Sequence, residues 1–158
     1  MGSQFMSSAQ QSMGGSMARA FVNGVFDVLH IGHARLIEHA YTIADETPVT
    51  VAVNDDASVK RLKGPDRPVN GILARIEMLK ALRWVGDVLV FSEDSPRVLL
   101  AMMYEDKIGP SIVVKGSEYK SKSLPERGIV EANGGTIIFF ENIPDVSTTK
   151  TLHDLGHR

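Results

Sequence analysis

From residue 18 onward the chain alternates between short apolar, β-rich runs and longer stretches whose apolar residues recur at helical spacing. That alternation limits its fold more than any other feature. Residues 20–23 (AFVN), 49–53 (VTVAV), 87–91 (DVLVF), 111–114 (SIVV) and 136–140 (TIIFF) read as strands, nearly continuous in apolar character. Residues 32–45 place Leu36, Ile37, Ala40, Tyr41 and Ala44 on one helical face. Further helices are expected over 72–82, 96–106 and 124–133, the last closed by Gly134 and Gly135, and a short one from about 147–149. Residues 54–70, with Gly64, Pro65 and Pro68, read as a loop. Strands that are apolar throughout need cover on both faces. The expected class is therefore α/β, a Rossmann-like five-stranded parallel sheet with helices on both sides. Such sheets bind ligands beyond the carboxyl ends of their strands, near the point where strand order reverses. Polar and glycine residues after strands one, two, four and five should then meet at one site.

The balance of 17 basic against 19 acidic residues, a net charge of −2, gives no reason to expect a nucleic-acid or anionic-membrane partner. The longest apolar run covers residues 98–104, far short of the ~20 residues that span a bilayer. Cysteine is absent, which excludes disulfides and thiolate metal sites and fits a reducing, cytoplasmic setting. Residues 1–17, rich in Ser, Gln, Gly and Met, read as a tag-like or disordered segment, and 18–158 as a single domain.

Directly after the first strand the chain reads Asn23-Gly24-Val25-Phe26-Asp27-Val28-Leu29-His30-Ile31-Gly32-His33 and enters a helix. Glycine stands where backbone must approach a ligand, and two imidazoles stand beside a helix N-terminus, whose free N–H groups and dipole favour phosphate. Imidazoles so placed can donate hydrogen bonds to phosphate oxygens as charge develops. The same spacing also serves a helix cap with a packed neighbour, or a metal pair. After the second strand, Lys60, Arg61, Lys63 and Arg67 fall within eight residues of a proline-stiffened segment. Such a run suits a polyphosphate, with Lys as a point charge and Arg as a bidentate fork; a solvated basic turn is the alternative.

The first loop resembles the GxFDxxHxGH signature of the cytidylyltransferase-like nucleotidyltransferases, and the resemblance runs from about residue 18 to 155 with each motif in order. It implies the HxGH nucleotidyltransferase fold and a homodimer. It implies that His30 and His33 stabilise the transition state at the α-phosphate. Gly24, Val25, Phe26 and Gly32 would then line the nucleotide, and Asp27 would stand by the phosphates with a phosphate-bound Mg²⁺ as its cation. The run Asp56-Ala57-Ser58-Val59-Lys60-Arg61-Leu62-Lys63-Gly64 with Arg67-Pro68 is similar to the family's second loop. By it, Lys63 acts on the triphosphate, and Asn54, Asp56 and Arg67 serve the acceptor. Arg75 matches a family arginine placed toward the phosphates; as a residue type it equally suits a surface helix charge. Lys115-Gly116-Ser117-Glu118-Tyr119 resembles the family segment that lies along the nucleotide, although Tyr119 could as easily pack. Ser147, Thr148 and Thr149 resemble a hydroxyl-lined helix start that binds phosphate, and they are also ordinary N-cap residues.

Within the family, VAVNDDASVKRLKGPDRPVN, VVKGSEY and EANGG are phrased like the branch that adenylates D-glycero-β-D-manno-heptose 1-phosphate. The glycerol-3-phosphate and phosphoethanolamine cytidylyltransferases, which use CTP, are the alternative; the arginine common before their STT segment has no counterpart in residues 142–146. Glu118 and the 120–125 stretch depart from the heptose branch, which bears on the acceptor. Three rivals stand beside the enzyme reading. A class I aminoacyl-tRNA synthetase needs further domains and a more basic surface. A nucleotide sensor without chemistry would be expected to have lost His30, His33 or Lys63. A histidine metal site would need carboxylates such as Asp27 or Asp56 to complete it. The expected ligands are a nucleoside triphosphate with Mg²⁺ and a small phosphorylated acceptor.

Overall fold

The computed structural model describes residues 18–141 and 148–156. Five strands, β1 (Ala20–Gly24), β2 (Val49–Asn54), β3 (Val85–Phe91), β4 (Ile112–Gly116) and β5 (Thr136–Phe140), form one sheet in the order β3-β2-β1-β4-β5, every neighbouring pair parallel. The helices are α1 (Ile31–Ile43), α2 (Asp56–Lys63), α3 (Ile72–Lys80), α4 (Arg97–Glu105), α5 (Arg127–Ala132) and α6 (Thr148–Asp154), with a 3₁₀ turn at Ser117–Tyr119.

Successive strand residues point to opposite faces, and the core divides accordingly. Ala20 and Val22 of β1, and Val49, Val51 and Val53 of β2, pack with Ile37 and Ala40 of α1 and Leu79 of α3. Phe21, Ala52 and Val113 face the other way, onto Leu100 and Met103 of α4 and Val130 of α5. Both faces of the central strands β1 and β2 are buried, as apolar strands require, while the edge strand β3 leaves Val90 exposed. Among the described residues no helix is long and apolar enough to cross a membrane.

One expectation needs correction. Residues 54–70 are not all loop, because α2 occupies Asp56–Lys63. Asp55 caps it by accepting the Ser58 N–H at 2.8 Å, Asp56 lies in its first turn, and Lys60, Arg61 and Lys63 lie in its last, each complementing the helix dipole. Gly64, at φ 110°, ends it in a backbone conformation that other residues avoid. The first three residues of the expected helix over 124–133 are also non-helical, since α5 begins only at Arg127, past Pro125.

The chain runs from β1 outward through β2 to β3, then returns to the far side of β1 for β4 and β5. The loops leaving β1 and β4 therefore diverge and open a crevice between them.

Candidate active site

A cavity of about 530 Å³ fills that crevice. Its floor is the β1 loop (Asn23, Gly24, Val25, Phe26, Asp27) and the start of α1 (His30, Gly32, His33). One wall carries Asn54, Leu62, Lys63, Arg67 and Asp94, the other Val114, Lys115, Gly116, Glu118, Tyr119 and Thr149. Polar residues following β1, β2 and β4 thus meet as the alternation of elements predicts. Thr149, past β5, joins them.

The β1 loop turns tightly at Phe26, whose φ of 48° is unusual for a bulky residue. The turn lays the Phe26 ring over Gly24, where an added Cβ would stand 3.2 Å from the ring, and brings its edge against His33 at a 5.2 Å centroid distance. Gly24 is there to leave room. The two histidines stack with centroids 3.7 Å apart. His30 is the N-cap of α1, its Nδ1 accepting the Gly32 N–H at 3.0 Å, and His33 Nδ1 accepts the His30 N–H at 3.3 Å. A nitrogen that accepts carries no proton, so both neutral rings hold theirs on Nε2. Burial, and then the neighbouring His30, push His33 down to about 3, and burial lowers His30 as well. The protein thus presents two neutral imidazoles, each with one N–H donor left over, at a helix N-terminus.

This has a consequence for stability. His33 titrates at about 3 when folded and near 6.5 when unfolded, so between those values the unfolded chain binds the extra proton. The histidine contribution is complete above pH 6.5 and is lost as pH falls. Denaturant titration should find wild type weakened by on the order of 2–3 kcal/mol between pH 7 and 4.5, and His33→Asn weakened by much less over that window. Equal slopes would refute the neutral ring. Carboxylates with lowered values act only at more acidic pH.

Asp27 does something other than face solvent. It is buried, and its Oδ2 accepts from Arg67 Nε at 2.6 Å and Val69 N at 2.8 Å, while Oδ1 accepts from Val69 N at 2.9 Å and Asn70 N at 2.8 Å. Asn70 returns a bond from its amide to the Asp27 carbonyl at 2.8 Å. Burial alone would raise this carboxyl, but the N–H groups of Asn70 and Val69, then Arg67, outweigh it and hold it below the usual range. Both oxygens are engaged in fastening the 67–70 segment to the β1 loop. They do not fit a metal directly, and among the described residues no group of three His, Asp or Glu side chains could hold one.

Arg75 has a place different from the one expected. Its side chain is fully buried, away from the cavity lining, and donates to the carbonyls of Asn70 (2.9 Å), Val25 (2.9 Å) and Asn54 (2.6 Å) and to Asp56 Oδ1 (2.7 Å). Asp56 is thereby drawn to Arg75 and is also absent from the lining. The four-cation run is divided in the same way. Lys60 donates to the Arg67 carbonyl, Arg61 to Asp94 and Ser92, and Arg67 to Asp27, while Lys63 at the end of α2 lines the cavity with no such contact among the described residues. Across the cavity, Lys115 donates to Asn23 Oδ1 at 3.0 Å, lies 3.1 Å from Glu126 Oε1 outside hydrogen-bonding direction, and sits 4.8 Å from the Tyr119 ring centre. Ser147 and the Thr148 side chain lie outside the described residues. Asp94, in the lining, lies outside every motif of the sequence, and only the adjacency of β2 and β3 brings it in; Leu62 enters with α2, from the run after β2.

Comparison with known proteins places this architecture. A family model described as Cytidylyltransferase-like matches residues 21–151. The chain is 43% identical over 132 residues to the Bifunctional protein HldE of Hyphomonas neptunium, and 41% identical over 130 residues to that of Nitrosococcus oceani, covering 84% and 82% of this chain. It spans only about a quarter of those relatives, 26% of each. A crystal structure of a lipopolysaccharide core biosynthesis protein from Thermoplasma volcanium superposes with a TM-score of 0.60 at 23% identity, covering 81% of this chain and 99% of that one, which is a likeness of fold.

Proposed function

The chain belongs to the cytidylyltransferase-like family of nucleotidyltransferases, and from that premise we propose that it joins a phosphorylated acceptor to the nucleoside monophosphate of a triphosphate, releasing pyrophosphate. The observation that carries this reading is the stacked pair His30 and His33, held neutral with Nδ1 engaged by backbone at the head of α1. An acceptor phosphate is already ionised at neutral pH, so its oxygen attacks the α-phosphorus without a general base. The bond to pyrophosphate breaks opposite the attack. The imidazole N–H donors meet the charge gathering on the α-phosphoryl oxygens, where preorganised donors lower a barrier most. Lys63 faces the departing phosphates. Gly24, Val25, Phe26, Gly32, Lys115, Gly116 and Thr149 serve the nucleotide. Asn54 and Arg67 serve the acceptor. Mg²⁺, brought by the triphosphate, would neutralise phosphate charge there and would ask no direct ligand of Asp27, whose two oxygens are already engaged.

The finer assignment is ATP with D-glycero-β-D-manno-heptose 1-phosphate. It rests on the phrasing of the loops after β2 and β4. The test is pyrophosphate release with Mg²⁺, crossing ATP and CTP against heptose 1-phosphate, glycerol 3-phosphate and phosphoethanolamine. Release with ATP and the heptose phosphate is the expected result. Release only with CTP and another acceptor would keep the mechanism and replace the substrates, and silence throughout would count against turnover altogether.

A further inference from the structure

We propose that Asp94, oriented by Arg61, is the residue that selects a hydroxyl-rich acceptor; this rests on the nucleotidyltransferase reading above. Asp94 lies in the loop after β3, outside every motif of the sequence, yet it lines the cavity on the wall that also carries Asn54, Lys63 and Arg67. Two features fix that loop. Arg61 of α2 donates to the Ser92 carbonyl at 2.5 Å and, through Nε at 3.3 Å and Nη2 at 3.1 Å, to Oδ1 of Asp94. Asn54, at the end of β2, donates its amide to the Glu93 carbonyl at 3.2 Å.

The Arg61–Asp94 pair is half or more exposed, with side-chain accessibilities of 51% and 68%, and exposed pairs contribute little to stability. What it does is geometric. Both guanidinium contacts converge on Oδ1, which leaves Oδ2 as an acceptor held at a set position on the rim. Asn54 is buried, one N–H of its amide is engaged with Glu93, and among the described residues nothing donates to its Oδ1, which stands as an acceptor. The wall therefore offers hydrogen-bond acceptors beside the cation Arg67. The phosphate of the incoming substrate suits Arg67 and a body bearing hydroxyl donors suits those acceptors, while Lys63 is left to the departing phosphates. An ammonium group is a poorer match, because Arg61 already balances the charge of Asp94.

The experiment compares wild type, Asp94→Ala, Arg61→Gln and the double variant. Steady-state kinetics use ATP with heptose 1-phosphate, glycerol 3-phosphate and phosphoethanolamine, and calorimetry measures heptose 1-phosphate binding to protein saturated with a non-hydrolysable ATP analogue. Asp94→Ala should raise the KM for heptose 1-phosphate about tenfold or more, as loss of a hydrogen bond to a charged group does. The KM for ATP should stay within about twofold and the melting temperature should not move. Arg61→Gln should give part of the same rise, and the double variant no more than Asp94→Ala, since both act through one oxygen. A heptose KM within twofold in Asp94→Ala, or an equal rise for ATP, would overturn the inference while wild-type turnover kept the enzymatic reading. A wild type that neither turns over nor binds any of the three acceptors would overturn both.

Discussion

Alanine at His30 or at His33 should cut turnover on the order of a hundredfold or more while leaving the fold in place. The size follows from what each ring supplies, a donor that strengthens as negative charge collects on the transferring phosphoryl group. The fold survives because little of it depends on the rings. His30 caps α1 through one hydrogen bond, and a lost cap costs about 1 kcal/mol. Asparagine at position 30 separates the two roles, since its carbonyl can accept the Gly32 N–H while its amide cannot reproduce the reach of Nε2. His30→Asn should therefore melt like wild type and still turn over slowly. The double alanine variant should be little worse than the poorer single one, because stacked rings serving one phosphoryl group act as a unit. Near-normal turnover in the double variant, measured by pyrophosphate release, would remove the pair from the chemistry.

The path to this site was partly visible in the residues. The strands declare themselves because a sheet covered on both faces must be apolar on both, and β1, β2 and β4 are. The His30–His33 loop declares itself because it stands between a strand and a helix. α2 did not, because an eight-residue helix whose one buried large apolar side chain is Val59, with Leu62 exposed, carries almost no stripe. Its signal was Asp55, a capping residue whose weight was masked by Gly64 and the prolines that follow. The partition of Lys60, Arg61, Lys63 and Arg67 was illegible for another reason. Which cation stays open toward a ligand depends on which carbonyl or carboxylate the fold brings beside each of the others, and Asp94 reaches Arg61 only because β3 lies next to β2.

Arg75 is the sharpest case, and it yields the second large effect. A guanidinium on a helix reads equally as a phosphate ligand or a surface charge, and in the fold it is neither. Buried, it joins the β1 loop, the end of β2, the 70–71 turn and α2 through four hydrogen bonds. Methionine at this position preserves much of the volume but withdraws every donor, leaving three backbone carbonyls short of a partner and Asp56 without its cation. Asp56 is 44% exposed and is solvated once its cation is gone, so the cost falls on the three carbonyls left without a donor, at roughly 1 kcal/mol or more each, and Arg75→Met should melt roughly 10 °C lower in a thermal scan. Arg75→Lys should fall between, since one ammonium cannot span acceptors arranged for a planar fork. If the methionine variant is too unstable to recover, the lysine variant carries the measurement. A nucleotide ligand would behave the other way, with the melting temperature kept and the KM for nucleotide raised. Because Arg75 holds the carbonyls of Val25 and Asn54, which bracket the cavity floor and its β2 wall, its loss should slow turnover only as far as those two segments drift apart. The activity deficit should then track the stability deficit across the Met and Lys variants.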